Sequence, residues 1–248
     1  MSVDAQDEAV IWHDVENGAY GDDLATWREL AARAGGPVLD AGCGTGRVTL
    51  DLARHGNVVL GVDVEPAFVA ALRERATERR LTASAEVGDL RDLRVKGEFA
   101  LTVVPMQTIQ LFESADERRA ALMGMRRCLA PRGLVALAIV CGDLDAGADA
   151  DLERPLPDVG EVDGWVYSSL PTELRTEAGR IVISRLRQVV TPDGDLTDEP
   201  SEISLAIIDA DVLEAEAADA GLRPAGRREI GATDRYVGST VVLLEAVE

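Results

Sequence analysis

Only two histidines, His13 and His55, and three cysteines, Cys43, Cys128 and Cys141, occur among 248 residues, and no cysteines have Cys-x-x-Cys spacing. That set assembles no zinc constellation, so no metal is expected. Aromatics are scarce at 4%, and 25 Lys and Arg face 45 Asp and Glu, for a net charge of −20. A protein that grips a phosphate backbone gathers its bases on one surface. With neither a basic run nor an aromatic-basic stripe, nucleic acid is disfavoured as a partner. Arg73, Arg75, Arg79 and Arg80 do cluster, but at helical spacing beside Glu74 and Glu78, which reads as a solvated helix face. No apolar run approaches the about 20 residues of a membrane span. The segment Met1 to Glu8 is acidic and polar, unlike a secretory signal. A cytoplasmic chain with no membrane partner is the expectation.

What is present is a 46% apolar complement, enough for the core of one large α/β domain with room for a modest insertion. Its most informative stretch runs Val38-Leu39-Asp40-Ala41-Gly42-Cys43-Gly44-Thr45-Gly46. The first residues read as a short buried strand. Three glycines then alternate, and Val48, Leu50, Leu52 and Ala53 open a helix. A strand that stops at a glycine turn and re-enters as a helix presents bare backbone to a ligand. A dinucleotide turn of the form G-x-G-x-x-G would need a third glycine where Arg47 stands, and a phosphate loop would need Gly-Lys after the turn. Asp40 instead brings a carboxylate to the strand tip, which suits a ligand bearing an ammonium group. Cys43 meets a requirement for a small side chain there.

Two more strand tips end in acids. Asn57 to Asp63 is apolar until its last residue, and Ala85 to Leu90 ends in Gly88-Asp89-Leu90. An acid at the end of the second strand can accept hydrogen bonds from both ribose hydroxyls of an adenosine. Pro66, with Phe68, Val69 and Leu72, starts the helix that follows.

The segment from Asp40 to Gly46 resembles motif I of the class I S-adenosylmethionine-dependent methyltransferases. That resemblance implies a Rossmann-like α/β fold, a mostly parallel seven-stranded sheet, with S-adenosylmethionine as cofactor. It implies that Asp40, Gly42, Cys43, Gly44 and Gly46 wrap the aminoacyl arm. Asp63 would hold the ribose hydroxyls, with Val64 beside it in the cofactor set, Asp89 the adenine amine, and Leu90 the ring. Val104, at the end of the strand Phe99 to Val104, belongs to the same cofactor set. Pro105, Met106, Gln107 and Gln110 follow at the ligand edge and are the expected lining of the acceptor pocket, together with Trp165. The Asn-Pro-Pro-Tyr and Asp-Pro-Pro-Tyr signatures of enzymes acting on nucleobase amines or glutamine are missing, which weakens both readings.

Around the core at 37–141, residues 1–36 read as a cap with a helix from Asp22 to Ala34 and a turn at Asn17 to Gly21. Residues 142–164 read as a long acidic loop. Trp165 to Leu170, Thr172 to Ala178, Arg180 to Thr191 and Glu202 to Ile208 read as strands of an antiparallel β insertion after strand five, closing the segment 142–208. Residues 209–248 supply a helix capped by Asp211 and a final hairpin of the core. His13 is the candidate general base and Tyr20 a candidate for orienting acceptor or cofactor. His55, at a helix end, reads as structural. The expected function is methyl transfer to O or N of a small molecule, by a monomer or homodimer. A nicotinamide-dependent oxidoreductase and a non-catalytic cofactor-binding partner stand as alternatives.

Overall fold

The computed structural model describes residues 5–140, 156–233 and 236–247. Seven strands form one sheet in the order β10-β11-β5-β4-β1-β2-β3. These are β1 (Val38–Ala41), β2 (Val59–Asp63), β3 (Ala83–Val87), β4 (Phe99–Val104), β5 (Leu129–Ile139), β10 (Leu222–Ile230) and β11 (Ser239–Ala246). The first five pair in parallel, and β11 runs antiparallel to both β5 and β10. Chain order reverses between β1 and β4, the position at which open α/β sheets leave a crevice outside their carboxyl ends. The seven-stranded, mostly parallel architecture expected from the sequence is what forms.

Helices cover both faces because the central strands are apolar on both. Val38, Leu101, Val103, Ala136 and Val241 pack under α2 (Leu24–Ala34) and α3 (Arg47–Arg54) through Trp27, Leu30, Val48 and Leu52. The alternate residues Leu39, Leu137, Ile139 and Val242 pack under α5 (Ala115–Cys128) and α6 (Ala210–Asp219) through Leu122, Met125 and Leu213. On the remaining flank α4 (Pro66–Glu78) seats Val69, Leu72 and Ala76 against Leu50 and Cys43. Helix starts follow local chemistry. Ser114 and Glu117 form a capping box on α5, and Glu65 caps α4 with Pro66 in its first turn. Asp209 caps α6, two residues before the Asp211 that the sequence suggested.

The insertion is a four-stranded antiparallel sheet, β6 (Asp158–Val162), β7 (Trp165–Glu177), β8 (Arg180–Val190) and β9 (Leu196–Ala206), in that order. It differs from the sequence expectation in three places. The two strands read on either side of Pro171 are one, because a register shift between Pro171 and Glu173 absorbs the missing N–H. β9 begins at Leu196, before the expected Glu202. It holds Pro200 because its outer side is a sheet edge. Part of the expected loop forms β6, while residues 142–155 of it lie outside the described residues.

An unexpected helix, α1 (Ala5–Asn17), joins this sheet to the core. Trp12 meets Tyr167 edge-on at 5.2 Å, and the Arg187 guanidinium lies 5.0 Å from the Trp12 ring centre. Glu16 accepts from both Arg187 nitrogens at 2.8 Å and from Ser169 Oγ at 2.8 Å. Burial raises the Glu16 pKa, but these hydrogen bonds outweigh it and hold the carboxyl below its ordinary value.

The second junction is Gln110, fully buried in the 3-10 turn at 108–111. Its Nε2 donates to the Val140 and Ala206 carbonyls at 3.2 and 3.0 Å, and its Oε1 accepts from Val140 N at 2.8 Å. Gln110 therefore clamps β5 to β9 and lines no pocket, which corrects its place in the expected acceptor site. Replacing it with Leu strands those backbone groups, at about 1–3 kcal/mol for each buried group left unpaired. Gln110→Leu should lose at least about 2 kcal/mol of stability in urea denaturation.

Candidate functional site

The glycine loop leaves β1 at Ala41 and is held by β2. The Gly42 and Cys43 amides donate to Val62 O at 2.8 and 3.0 Å, and Gly46 N donates to Cys43 O at 3.0 Å. Gly42, Gly44 and Gly46 have φ of 82°, 54° and 100°, a region that favours glycine. Each absent Cβ also leaves room for a different neighbour: Thr108 against Gly42, His13 against Gly44 and Leu72 against Gly46. The glycines thus serve the protein's own packing as well as any ligand. Cys43 is buried, and burial drives its thiol pKa well above the ordinary value, so its role is steric.

Asp63 organises the loop. Its Oδ2 accepts from Gly44 N at 2.8 Å and its Oδ1 from Glu65 N at 3.0 Å. Each oxygen keeps a further acceptor site for a hydroxyl. Val64 beside it is 66% exposed, an apolar surface at the strand tip available to a flat ring. Gly88 N donates to Asp63 O at 2.9 Å, so the third strand tip lies alongside. There Asp89 is engaged by Arg91, which reaches it at 2.6 Å and Glu117 at 2.8 Å. These hydrogen bonds hold the Asp89 carboxyl below its usual range. Leu90 is buried in the core cluster rather than open to a ring.

Asp40 lies beneath the loop, 1% exposed. Oδ2 accepts from Thr49 Oγ1 at 2.7 Å, while Oδ1 is buried with no partner. Burial pushes its pKa up to about 6, against smaller opposing effects of Thr49 and Arg47. A buried carboxylate with an orphan oxygen below a bare loop fits a cationic, aminoacyl-bearing nucleoside. It fits a pyrophosphate badly, since like charge would raise the cost. Arg47, at the position of a third dinucleotide glycine, turns to Asp23 at 2.5 and 2.7 Å and to the Tyr20 carbonyl at 3.0 Å.

The turn expected to line the acceptor pocket begins at Val104 and Pro105, both buried, after which Met106 and Gln107 adopt φ of 50° and 58°. Consecutive non-glycine residues in that region hold strain of roughly 1–3 kcal/mol each and cluster at functional sites. Thr108 secures them, donating Oγ1 to Pro105 O at 2.7 Å while its methyl packs toward Gly42. The glycine loop and the turn after β4 therefore share one side chain.

The two candidate catalytic groups stand elsewhere. His13 lies on the glycine loop against Gly44 and Thr45, with Phe68 at 4.4 Å between ring centres. Tyr20 is buried beside Tyr236, 4.9 Å between ring centres, and bonded to Ser239. Burial first, then Asp23, raises its pKa. Trp165 packs with Trp12 and Tyr167 at the α1 junction rather than in the crevice. Arg75, read as solvated, instead reaches Asp14 and the Thr45 carbonyl. Long-range partners of this kind leave no local sequence signal. Among the described residues no His, Cys, Asp and Glu cluster could hold a metal, and no helix is long and apolar enough to cross a membrane. Open cavities of about 560 and 400 Å³ share Arg132 at the opposite, amino edge of the sheet, away from this crevice.

Residues 38–133 match the family model for a methyltransferase domain. The chain is 32% identical over 156 residues to the S-adenosyl-L-methionine-dependent Diels-Alderase iccD of Talaromyces variabilis, covering 60% of this chain and 51% of that protein. It is 34% identical over 121 residues to the cypemycin N-terminal methyltransferase of a Streptomyces species, 47% of each. The chain thus spans about half the length of these curated relatives. SAM-bound CalS10, an amino pentose methyltransferase from Micromonospora echinaspora, matches with a TM-score of 0.71 at 18% identity, over 100% of this chain and 98% of that one. At that identity the likeness is one of fold. The glycine loop and the strand-tip acids thus lie inside a stretch that matches a methyltransferase domain, and the chain as a whole shares the fold of that structure.

Proposed function

We propose that the chain moves a methyl group from S-adenosylmethionine to an O or N atom of a small-molecule acceptor, with an amine-bearing sugar as the first class to try. The observation that carries this reading is the Asp63 carboxylate ordering a bare glycine loop above the orphan oxygen of Asp40. When bound, the cofactor supplies a methyl on a sulfonium, already joined to a good leaving group. The chain's own work is then alignment and exclusion of water, and orientation alone can lower such a barrier by up to about 7–11 kcal/mol. Residues 42–46 and Asp63 would hold the cofactor. Met106 and Gln107 would shape the acceptor side, under the insertion sheet fixed by α1 and Gln110. Neither His13 nor Tyr20 is placed among the acceptor-side residues, so no general base is assigned; an amine whose lone pair is free needs none before attack. The amine-sugar class is supported by likeness along the whole chain to an amino pentose methyltransferase. Similarity to a S-adenosyl-L-methionine-dependent Diels-Alderase favours a second reading, in which the cofactor is held without methyl transfer.

Calorimetry should show binding of S-adenosylmethionine and S-adenosylhomocysteine and none of NAD. Asp63→Ala, which removes the acceptor of two backbone amides, should weaken both at least about tenfold. NAD binding, or an unaffected Asp63→Ala protein, contradicts the assignment. S-adenosylhomocysteine and a methylated product from an amino-sugar panel separate transfer from cofactor binding alone.

Asp40 gives a pH signature. Burial pushes its pKa up to about 6 from the ordinary carboxylate value of 3.8, so the ionised form is penalised in the folded chain. The penalty, on the order of 3 kcal/mol, is absent below about pH 4 and complete above about pH 6. Without ligand, the wild-type thermal midpoint should therefore fall relative to that of Asp40→Asn between pH 4 and pH 7. A constant difference across that range would show that Asp40 is not held this way.

A further inference from the structure

His13 on α1 lies directly on the glycine loop against Gly44, and its hydrogen bonds define its tautomer. Thr45 Oγ1 donates to Asp14 Oδ1 at 2.6 Å, because the carboxylate has no proton to give. Its proton thus committed, Thr45 Oγ1 can only accept from His13 Nδ1, 3.3 Å away. Arg75 fixes the far end of the chain by pairing with Asp14 and donating to Thr45 O at 3.3 Å. The proton sits on Nδ1, and Nε2 keeps its lone pair. That nitrogen is the atom nearest the space where Gly44 lacks a side chain, and no described donor reaches it. Burial lowers the pKa of His13 despite Asp14, Asp63 and Glu16 nearby, with Arg75 acting in the same sense as burial, so the ring is neutral near pH 7. Asp40, the other acceptor suited to a cation, is sealed beneath the loop at 1% exposure.

We propose that His13 is a cofactor-positioning residue whose Nε2 accepts a hydrogen bond from the ammonium group of the cofactor's aminoacyl arm, with Arg75, Asp14 and Thr45 holding the ring in the tautomer that makes this possible. The proposal rests on the S-adenosylmethionine reading above. It also replaces the expectation that His13 is a general base. Because α1 is bound on another side to β7 and β8 through Trp12 and Glu16, the contact links the cofactor's arm to the insertion sheet.

Two ligands that share a nucleoside and a thioether test it. S-adenosylhomocysteine carries the aminoacyl arm, and 5′-methylthioadenosine does not. In calorimetry, His13→Ala should weaken S-adenosylhomocysteine about tenfold or more, as for loss of a hydrogen bond to a charged group. It should leave 5′-methylthioadenosine within about twofold. His13→Gln, whose amide oxygen can stand where Nε2 stood, should recover most of the loss. The thermal midpoint of each variant verifies folding. If His13→Ala weakens both ligands alike the ring acts only by packing, and if it weakens neither or tightens S-adenosylhomocysteine it makes no such contact; each result overturns the proposal. A wild-type chain that binds neither ligand overturns the cofactor reading and this inference together.

Discussion

The site depends on one carboxylate that bridges two backbones. Asp63 ends β2 and accepts from Gly44 in the loop after β1 and from Glu65 at the start of α4, at 2.8 and 3.0 Å. Without it, three glycines at φ between 54° and 100° would have little to hold them, since glycine loses more freedom on ordering than any other residue. With it, the loop becomes a rigid ledge. Acceptors built from a strand tip then stand beside amides built from a turn, an arrangement that suits a nucleoside extended by an aminoacyl arm.

Charge is distributed to the same end. In a chain so rich in acids, many arginines serve as internal struts between segments far apart in sequence. Arg47 ties α3 to Asp23 ahead of α2, Arg75 ties α4 to α1, Arg187 ties β8 to α1, and Arg118 joins α5 to α6 through Glu216. Breaking a buried pair by removing one partner costs more than the pair contributes, because the remaining charge is stranded. The buried Arg118–Glu216 pair therefore specifies geometry more than it adds stability. Two of the struts converge on α1, the helix that touches both the glycine loop and the insertion sheet.

The sheet and the ledge were legible in the sequence because backbone constraints leave local marks. Alternate glycines after an apolar run, acids at the ends of Asn57 to Asp63 and Ala85 to Asp89, and Pro66 at a helix start each speak for their own position. α1 was not legible. Its Trp12, Val15 and Glu16 serve one partner and its His13 and Asp14 another, so it shows no single apolar stripe. The solvated reading of Arg75 and the pocket readings of Gln110 and Trp165 failed for a related reason. Each side chain is satisfied by groups distant in the chain, and spacing carries no trace of them. Strand β9 escaped over Leu196 to Ser201 because that stretch, on the sheet edge, is largely exposed and does not alternate.

The most direct measurement is a crystal structure of the chain soaked with S-adenosylhomocysteine. The account predicts ribose hydroxyls on Asp63 and the aminoacyl arm along residues 42–46. Density for the compound elsewhere, or an undisturbed crevice at saturating concentration, would contradict it.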